Sequence, residues 1–194
     1  MYPFLLTLIC LFGLTACKND ISQEKISSVG VLSSHSEEQE KEILNTVVKE
    51  LFSGPDESLA AFLEKNSTVF GEGMSSISSS KESEELSVVK EKFGNHYTDE
   101  ALEIFVSNYL ALYQFLTKRS HATLKSKEIE IVKTSSGYDF SAAVQYEDNQ
   151  GTHDVTVKGD AQFLEEGKLV SFQIQSDGGF FDLLHNNLNK IEEF

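Results

Sequence analysis

The side chains best suited to covalent chemistry in this chain are its two thiols, Cys10 and Cys17, and both lie near the start. A thiolate is a nucleophile and a point of covalent modification. Cys17 closes the sequence Leu14-Thr15-Ala16-Cys17 at the end of an apolar run beginning at Phe4. Histidine is the next candidate. His35, His96, His121, His153 and His185 stand far apart, and none pairs with another at the spacing of a zinc site. Asp148-Asn149-Gln150-Gly151 lacks the alternating oxygen ligands and distal glutamate of a calcium loop, and reads as a hairpin turn. There is no phosphate-cradling glycine loop and no Gly-x-Ser-x-Gly nucleophile turn. The expectation is therefore no metal and no cofactor.

The segment around Cys17 carries the clearest message. Phe4 to Leu14 is nearly all apolar, and no charged residue precedes Lys18. The run is about half the ~20 apolar residues needed to span a bilayer, which is the proportion of a signal peptide. Leu14-Thr15-Ala16-Cys17 resembles the lipobox of bacterial lipoproteins: an aliphatic residue, two small ones, then cysteine. The resemblance covers only these first residues. It implies cleavage between Ala16 and Cys17, diacylglycerol in thioether linkage on the Cys17 sulfur, and a mature protein held outside the cytoplasm on a bacterial membrane. Met1-Tyr2-Pro3 departs from the usual pattern in carrying no Lys or Arg. Lys18 after the cysteine does not decide between inner, outer and cell membrane.

The rest of the chain divides simply. Residues 1–16 form the expected signal peptide, and 17–36 the acylated cysteine with a polar tether, whose root-mean-square reach is about 25 Å. Residues 37–194 form one expected domain. With Cys10 removed and Cys17 acylated, that domain holds no disulfide and depends on its core. Net charge is −15, a surface that repels nucleic acid and anionic headgroups. Arg119 is the sole arginine, and so few arginines weigh against a phosphate or carboxylate reader.

Periodicity supplies the elements. Ser36 and Gln39 fit a capping box ahead of the stripe Ile43, Leu44, Val47, Val48, Leu51 and Phe52, which Gly54-Pro55 ends. A short helix follows with Leu59, Ala60, Phe62 and Leu63 inward and Asn66 near its end. Ser67 to Phe70 reads as a brief strand, and Met74 to Ser87 as an exposed Ser-rich loop. Another helix carries Leu86, Val89 and Phe93. Thr98 then starts the longest helix, with the stripe Leu102, Phe105, Val106, Tyr109, Tyr113 and Leu116; Lys118, Arg119 and His121 suit its C-terminal dipole.

From Ile129 the period is two, in four strands joined by short polar turns. That spacing predicts an antiparallel meander with one buried face. Its inner face is expected to be Tyr138, Phe140, Ala142, Val144, Tyr146, Val155, Val157, Ala161, Phe163, Val170, Phe172 and Ile174. Gly159 in mid-strand predicts a bulge. Phe180, Phe181, Leu183 and Leu184 predict a closing amphipathic helix. The fold class is α+β, with N-terminal helices packed on a curved four-stranded sheet. This element order, over about residues 37–184, resembles the nuclear-transport-factor-2-like cone, with the cystatin-like fold close to it.

The resemblance implies either catalysis or binding, and the site must decide. Enzymes of the cone type use a carboxylate or histidine inside the cone as base. The expected inner face offers no Asp, Glu or His; Asp139, Glu147, Asp154 and Asp160 fall on the other face. The leading expectation is thus a non-catalytic binding or scaffolding domain, held to the membrane through Cys17 and meeting a protein partner in the envelope. Two alternatives stand beside it. One is a carrier of a small apolar ligand, whose pocket Tyr138, Phe140, Tyr146, Phe163 and Phe172 would line. The other is an isomerase or dehydratase whose base comes from a helix, Glu103 or His96.

Overall fold

A computed structural model describes residues 36–65 and 87–191. The chain divides into two units, Met1–Leu32 and Ser33–Phe194, and every element below belongs to the second. Cys10, Cys17, Asn66, the expected strand Ser67 to Phe70, Leu86 and the Ser-rich loop up to it lie outside the described residues.

Helix α1, Glu37–Leu51, begins at the expected capping box: the Gln39 backbone N–H donates to Ser36 Oγ at 3.3 Å and the Ser36 N–H to Gln39 Oε1 at 3.0 Å. Leu44, Val47, Val48, Leu51 and Phe52 are fully buried. Helix α2, Glu57–Lys65, starts at Asp56, whose carboxylate accepts the Ser58 and Leu59 N–H groups, each at 3.0 Å. Helix α3, Ser87–Phe93, buries Val89 and Phe93.

Thr98 caps the long helix, which runs as α4, Asp99–Phe105, a π-helical stretch, Val106–Phe115, and α5, Leu116–Arg119. The wider π winding, with i→i+5 hydrogen bonds, changes which residues face inward. Leu110, Ala111, Gln114 and Thr117 are buried, and Leu116 is only partly so. A 3.6-residue stripe leaves Gln114 out, and the π winding turns it inward, while Leu116 packs against the core from a partly buried position as expected.

The sheet is a four-stranded antiparallel meander in the order β1-β2-β3-β4: Thr123–Lys133, Tyr138–Asp148, Gly151–Phe163 and Leu169–Ser176. Tyr138, Phe140, Ala142, Val144, Tyr146, Val155, Val157, Ala161 and Phe172 are buried beneath the helices, with Phe163 and Ile174 packed at the margin. Register shifts at Ser126/Ile129, Lys158/Gly159 and Gln162/Phe163 mark bulges that bend the sheet. The last one corrects an expected inner residue. Phe163 pairs with Leu169, so Leu169 takes the fully buried place assigned to Val170. At Gly159 a Cβ would stand 2.1 Å from the Gln173 carbonyl oxygen and 2.6 Å from Phe140 Cζ, so only glycine fits there.

Two loop contacts fasten helices to sheet edges. Gly54 and Leu124 exchange backbone hydrogen bonds of 3.0 and 2.6 Å. Leu169 N–H donates to the His96 carbonyl at 2.8 Å, and its own carbonyl accepts from Thr98 N–H at 3.0 Å. Helix α6, Phe180–Ile191, closes the fold: Asp177 accepts the Phe181 N–H at 2.8 Å, and Phe180 stacks on Tyr113 with ring centroids 5.2 Å apart.

Candidate functional site

A cleft of about 500 Å³ opens where the long helix ends. Its lining comes from two places in the chain: Pro55 and Glu57 before and inside α2, and Phe115, Lys118, Arg119, His121 and Ala122 across the C-terminus of the long helix. The Gly54–Leu124 pairing brings them together, because it fixes the α1–α2 turn beside the start of β1.

The helix end closes on itself. Ser120 N–H donates to the Leu116 carbonyl, His121 N–H to Lys118 and Ala122 N–H to Thr117, at 2.9, 3.1 and 3.1 Å. Ser120 Oγ also donates to the Thr117 carbonyl at 3.0 Å. The turn requires a left-handed residue, and His121 holds it at φ 51°. Glycine or asparagine is the usual occupant of such a position.

Charge in the cleft comes from Lys118, Arg119 and Glu57. Lys118 Nζ lies 3.3 Å from a carboxylate oxygen of Glu57, whose side chain is 81% exposed. The Arg119 guanidinium sits 5.6 Å from the centroid of the Phe115 ring, within cation–π range. The cleft therefore combines an aromatic wall, two cations, the Glu57 carboxylate and an imidazole in a chain of net charge −15.

Beside the cleft lies a buried polar junction. Gln114 is fully buried within the π-helical stretch. Its amide nitrogen donates to the carbonyls of Leu51 and Ser53 at 3.0 and 3.1 Å, and its oxygen accepts the Asp56 N–H at 3.0 Å. One side chain thus closes the end of α1 and the turn into α2. Asp56 also binds Lys92 from α3 at 2.6 Å. Burial pushes the Asp56 carboxyl up, but the bonds from Lys92, Ser58 and Leu59 outweigh it and hold the group well below the usual carboxylate range.

The residues expected to line a pocket in the sheet are packed against one another. Phe140 stacks on Phe172 at 5.1 Å, and Tyr138 meets Phe163 edge-on at 5.7 Å. The Tyr138 hydroxyl donates to Glu40 at 2.6 Å, and the Tyr146 hydroxyl to Asp148 at 2.8 Å. Burial and Glu40 together raise the Tyr138 phenol above its ordinary value. None of the five lines the cleft.

The expected helix-borne bases lie apart from that face. Glu103 is exposed on α4, and His96 is partly buried in the turn before it, where burial pushes its imidazole down. Register also corrects the expectation of a sheet face free of histidine: His153 pairs with Tyr146 and shares its face, at the exposed end of β3. His185 stacks on Phe181 in α6. Among the described residues, no group of three or more His, Cys, Asp or Glu is placed to hold a metal ion.

Sequence reasoning missed the cleft. Its signal was three basic residue types within Lys118-Arg119-Ser120-His121, including the sole arginine. The helix dipole alone accounts for all three, and nothing in the local sequence announces Pro55 as their neighbour.

Together, these features define an α+β domain with helices on one face of a meander sheet and a charged, aromatic-walled cleft at one corner. No family model, curated protein or solved structure matches the chain.

Proposed function

We propose that the protein is a lipid-anchored, extracytoplasmic bacterial lipoprotein whose α+β domain binds or scaffolds a partner in the cell envelope. The observation that carries this reading is Leu14-Thr15-Ala16-Cys17 at the end of a short apolar run. The domain supports binding over enclosure: the inner sheet face is filled by Phe140 on Phe172 and Tyr138 on Phe163. A surface site also suits a domain tethered to a membrane by lipid, since two acyl chains give stable anchoring without any apolar protein face.

Cys17→Ser tests the anchoring. The wild-type chain, expressed in a bacterium and fed an alkyne fatty acid, should take up label and sediment with membranes. The variant should lose the label and the membrane retention together. A Cys17→Ser chain that still fractionates with membranes, or an unlabelled wild-type chain, would overturn the reading.

A further inference from the structure

We propose that the open sheet edge at residues 129–133 of β1 docks an extended segment of a protein partner, one in which basic residues alternate with apolar ones. The proposal rests on reading the domain as a binding module, and it assigns that module a surface and a kind of partner.

Three observations carry it. First, the meander leaves two edges, β1 and β4, and they differ in cover. At β4 the Leu169 N–H and carbonyl are taken by His96 and Thr98, and the Ile174 N–H donates to the Tyr109 hydroxyl at 3.4 Å. At β1, among the described residues, the backbone bonds on the outer edge are those of Leu124 with Gly54. The Leu124 N–H and carbonyl therefore point away from β2. Direction alternates along an antiparallel strand, and a bulge that sets Lys127 and Glu128 against Ala143 keeps that sense on its far side. The outward groups are then those of Ile129, Ile131 and Lys133. Such a row is a template for an added strand.

Second, the side chains here suit pairing. Over residues 129–133 the register with β2 is unbroken and there is no proline. Ile129 and Ile131 lie partly buried at the margin of the core, so apolar residues of an added strand would extend that margin. On the other face Val132 is 52% exposed, and a neighbouring strand would cover it.

Third, charge indicates the partner. Lys127 is paired with Asp154 at 3.2 Å and Lys133 with Glu37 at 3.4 Å. Glu128 and Glu130 have no ion-pair partner among the described residues. The edge therefore presents uncompensated negative charge on a chain of net charge −15, and opposite charges facing each other across strands attract. A second copy of the chain fits less well. It brings the same net charge, and antiparallel pairing centred on Ile131 sets the two Glu130 side chains diagonally across the strands.

The probe is a short end-blocked peptide of alternating lysine and valine, added to the full chain in a non-ionic detergent. Hydrogen exchange followed by NMR should show the Ile129 and Ile131 amides slowing about fivefold or more at saturation, while amides of β4 keep their rates. The same peptide methylated on its backbone nitrogens keeps its charge but cannot pair, and should protect neither amide. A peptide of alternating glutamate and valine should fail likewise. Glu130→Lys should weaken the lysine peptide about fivefold or more and admit the glutamate peptide, while unfolding at the wild-type temperature. Absence of protection, equal protection by the methylated peptide, or a response unchanged in Glu130→Lys would overturn the proposal. So would Ile129 and Ile131 amides already protected in a concentration-dependent dimer of the chain alone, because the second copy would then hold the edge. Any of these results, with Cys17-dependent membrane retention intact, would leave the anchoring reading standing.

Discussion

The Gln114 side-chain oxygen accepts the backbone N–H of Asp56 at 3.0 Å, although the two residues lie 58 positions apart in the chain. The same amide donates to the carbonyls of Leu51 and Ser53. Helix ends leave carbonyl groups without intrahelical partners, and buried ones need an outside donor. In this fold the donor comes from the long helix. The π-helical winding turns Gln114 inward at the level of the α1–α2 turn, so that irregularity and the junction belong together.

Replacing Gln114 should therefore be costly. Gln114→Ala leaves two carbonyls and one N–H without this partner in a buried site, a loss of about 2–4 kcal/mol at roughly 1–3 kcal/mol per orphaned group with partial relaxation. Gln114→Glu should do at least as much damage at neutral pH, because its carboxylate would face the Leu51 and Ser53 carbonyls with nothing to donate. Urea unfolding followed by circular dichroism measures both. A Gln114→Glu chain as stable as wild type would contradict the account.

Asp56 makes the junction sensitive to acid. Its carboxyl is held below the ordinary range in the folded state by Lys92, Ser58 and the Leu59 N–H, against the opposing effect of burial. A depressed folded value means the folded state binds the proton less readily than the unfolded chain does. The stabilisation is thus present above the unfolded carboxylate value of about 4, and is lost progressively as pH falls below it. Asp56→Asn keeps a capping oxygen but loses the ion pair with Lys92, so it should lower stability at pH 7 by up to about 1 kcal/mol. Its stability should also fall less than wild type's as pH drops from about 5 to about 2, through the carboxylate range. Parallel pH profiles for the two chains would remove Asp56 as a source of acid sensitivity.

The regular parts of this fold were legible because each follows from a local rule. Ser36 and Gln39 announce α1 through the capping box, and the alternation from Tyr138 to Tyr146 fixes which face of β2 is inside. What escaped was decided elsewhere in the chain. Leu169 displaces Val170 because the bulge opposite Phe163 shifts the register. Thr123 to Ser126 has no clear two-residue pattern, and joins β1 by pairing with Val144 to Glu147. Gln114 looks like a surface residue of a 3.6-residue helix and becomes interior only with the π winding. The cleft is non-local in the same sense: Pro55 meets Ala122 through the pairing of Gly54 with Leu124.

Gly159 offers a steric test of the sheet's bend. An added methyl group would overlap the Gln173 carbonyl at 2.1 Å and the Phe140 ring at 2.6 Å. The first neighbour is backbone in an adjacent strand, and the second is stacked on Phe172, so neither can yield without disturbing the core. Gly159→Ala should cost about 2–3 kcal/mol or more, at the upper end of overpacking effects. Gly151→Ala is a useful contrast, since nothing stands within 4 Å of its Cβ and the penalty is limited to its backbone angle of φ +141°. Thermal unfolding of both variants should place Gly159→Ala well below Gly151→Ala.

Tyr97 predicts an effect of the opposite sign. The side chain is 1% exposed, and its ring stacks on Phe105 with centroids 4.8 Å apart. Its hydroxyl is buried and has no hydrogen-bond partner among the described residues. Burial raises the phenol well above its ordinary value, and Tyr109 adds to that. The shift disfavours ionisation in the folded state, so the contribution is constant well below the ordinary phenol value and falls as pH rises past it. An unsatisfied hydroxyl carries a desolvation cost that a phenylalanine of the same shape does not. Tyr97→Phe keeps the stack and removes the cost, so it should leave stability unchanged or raise it by up to about 1 kcal/mol. A clear loss of stability in Tyr97→Phe, read from the urea midpoint at unchanged slope, would mean that the hydroxyl has a partner in solution.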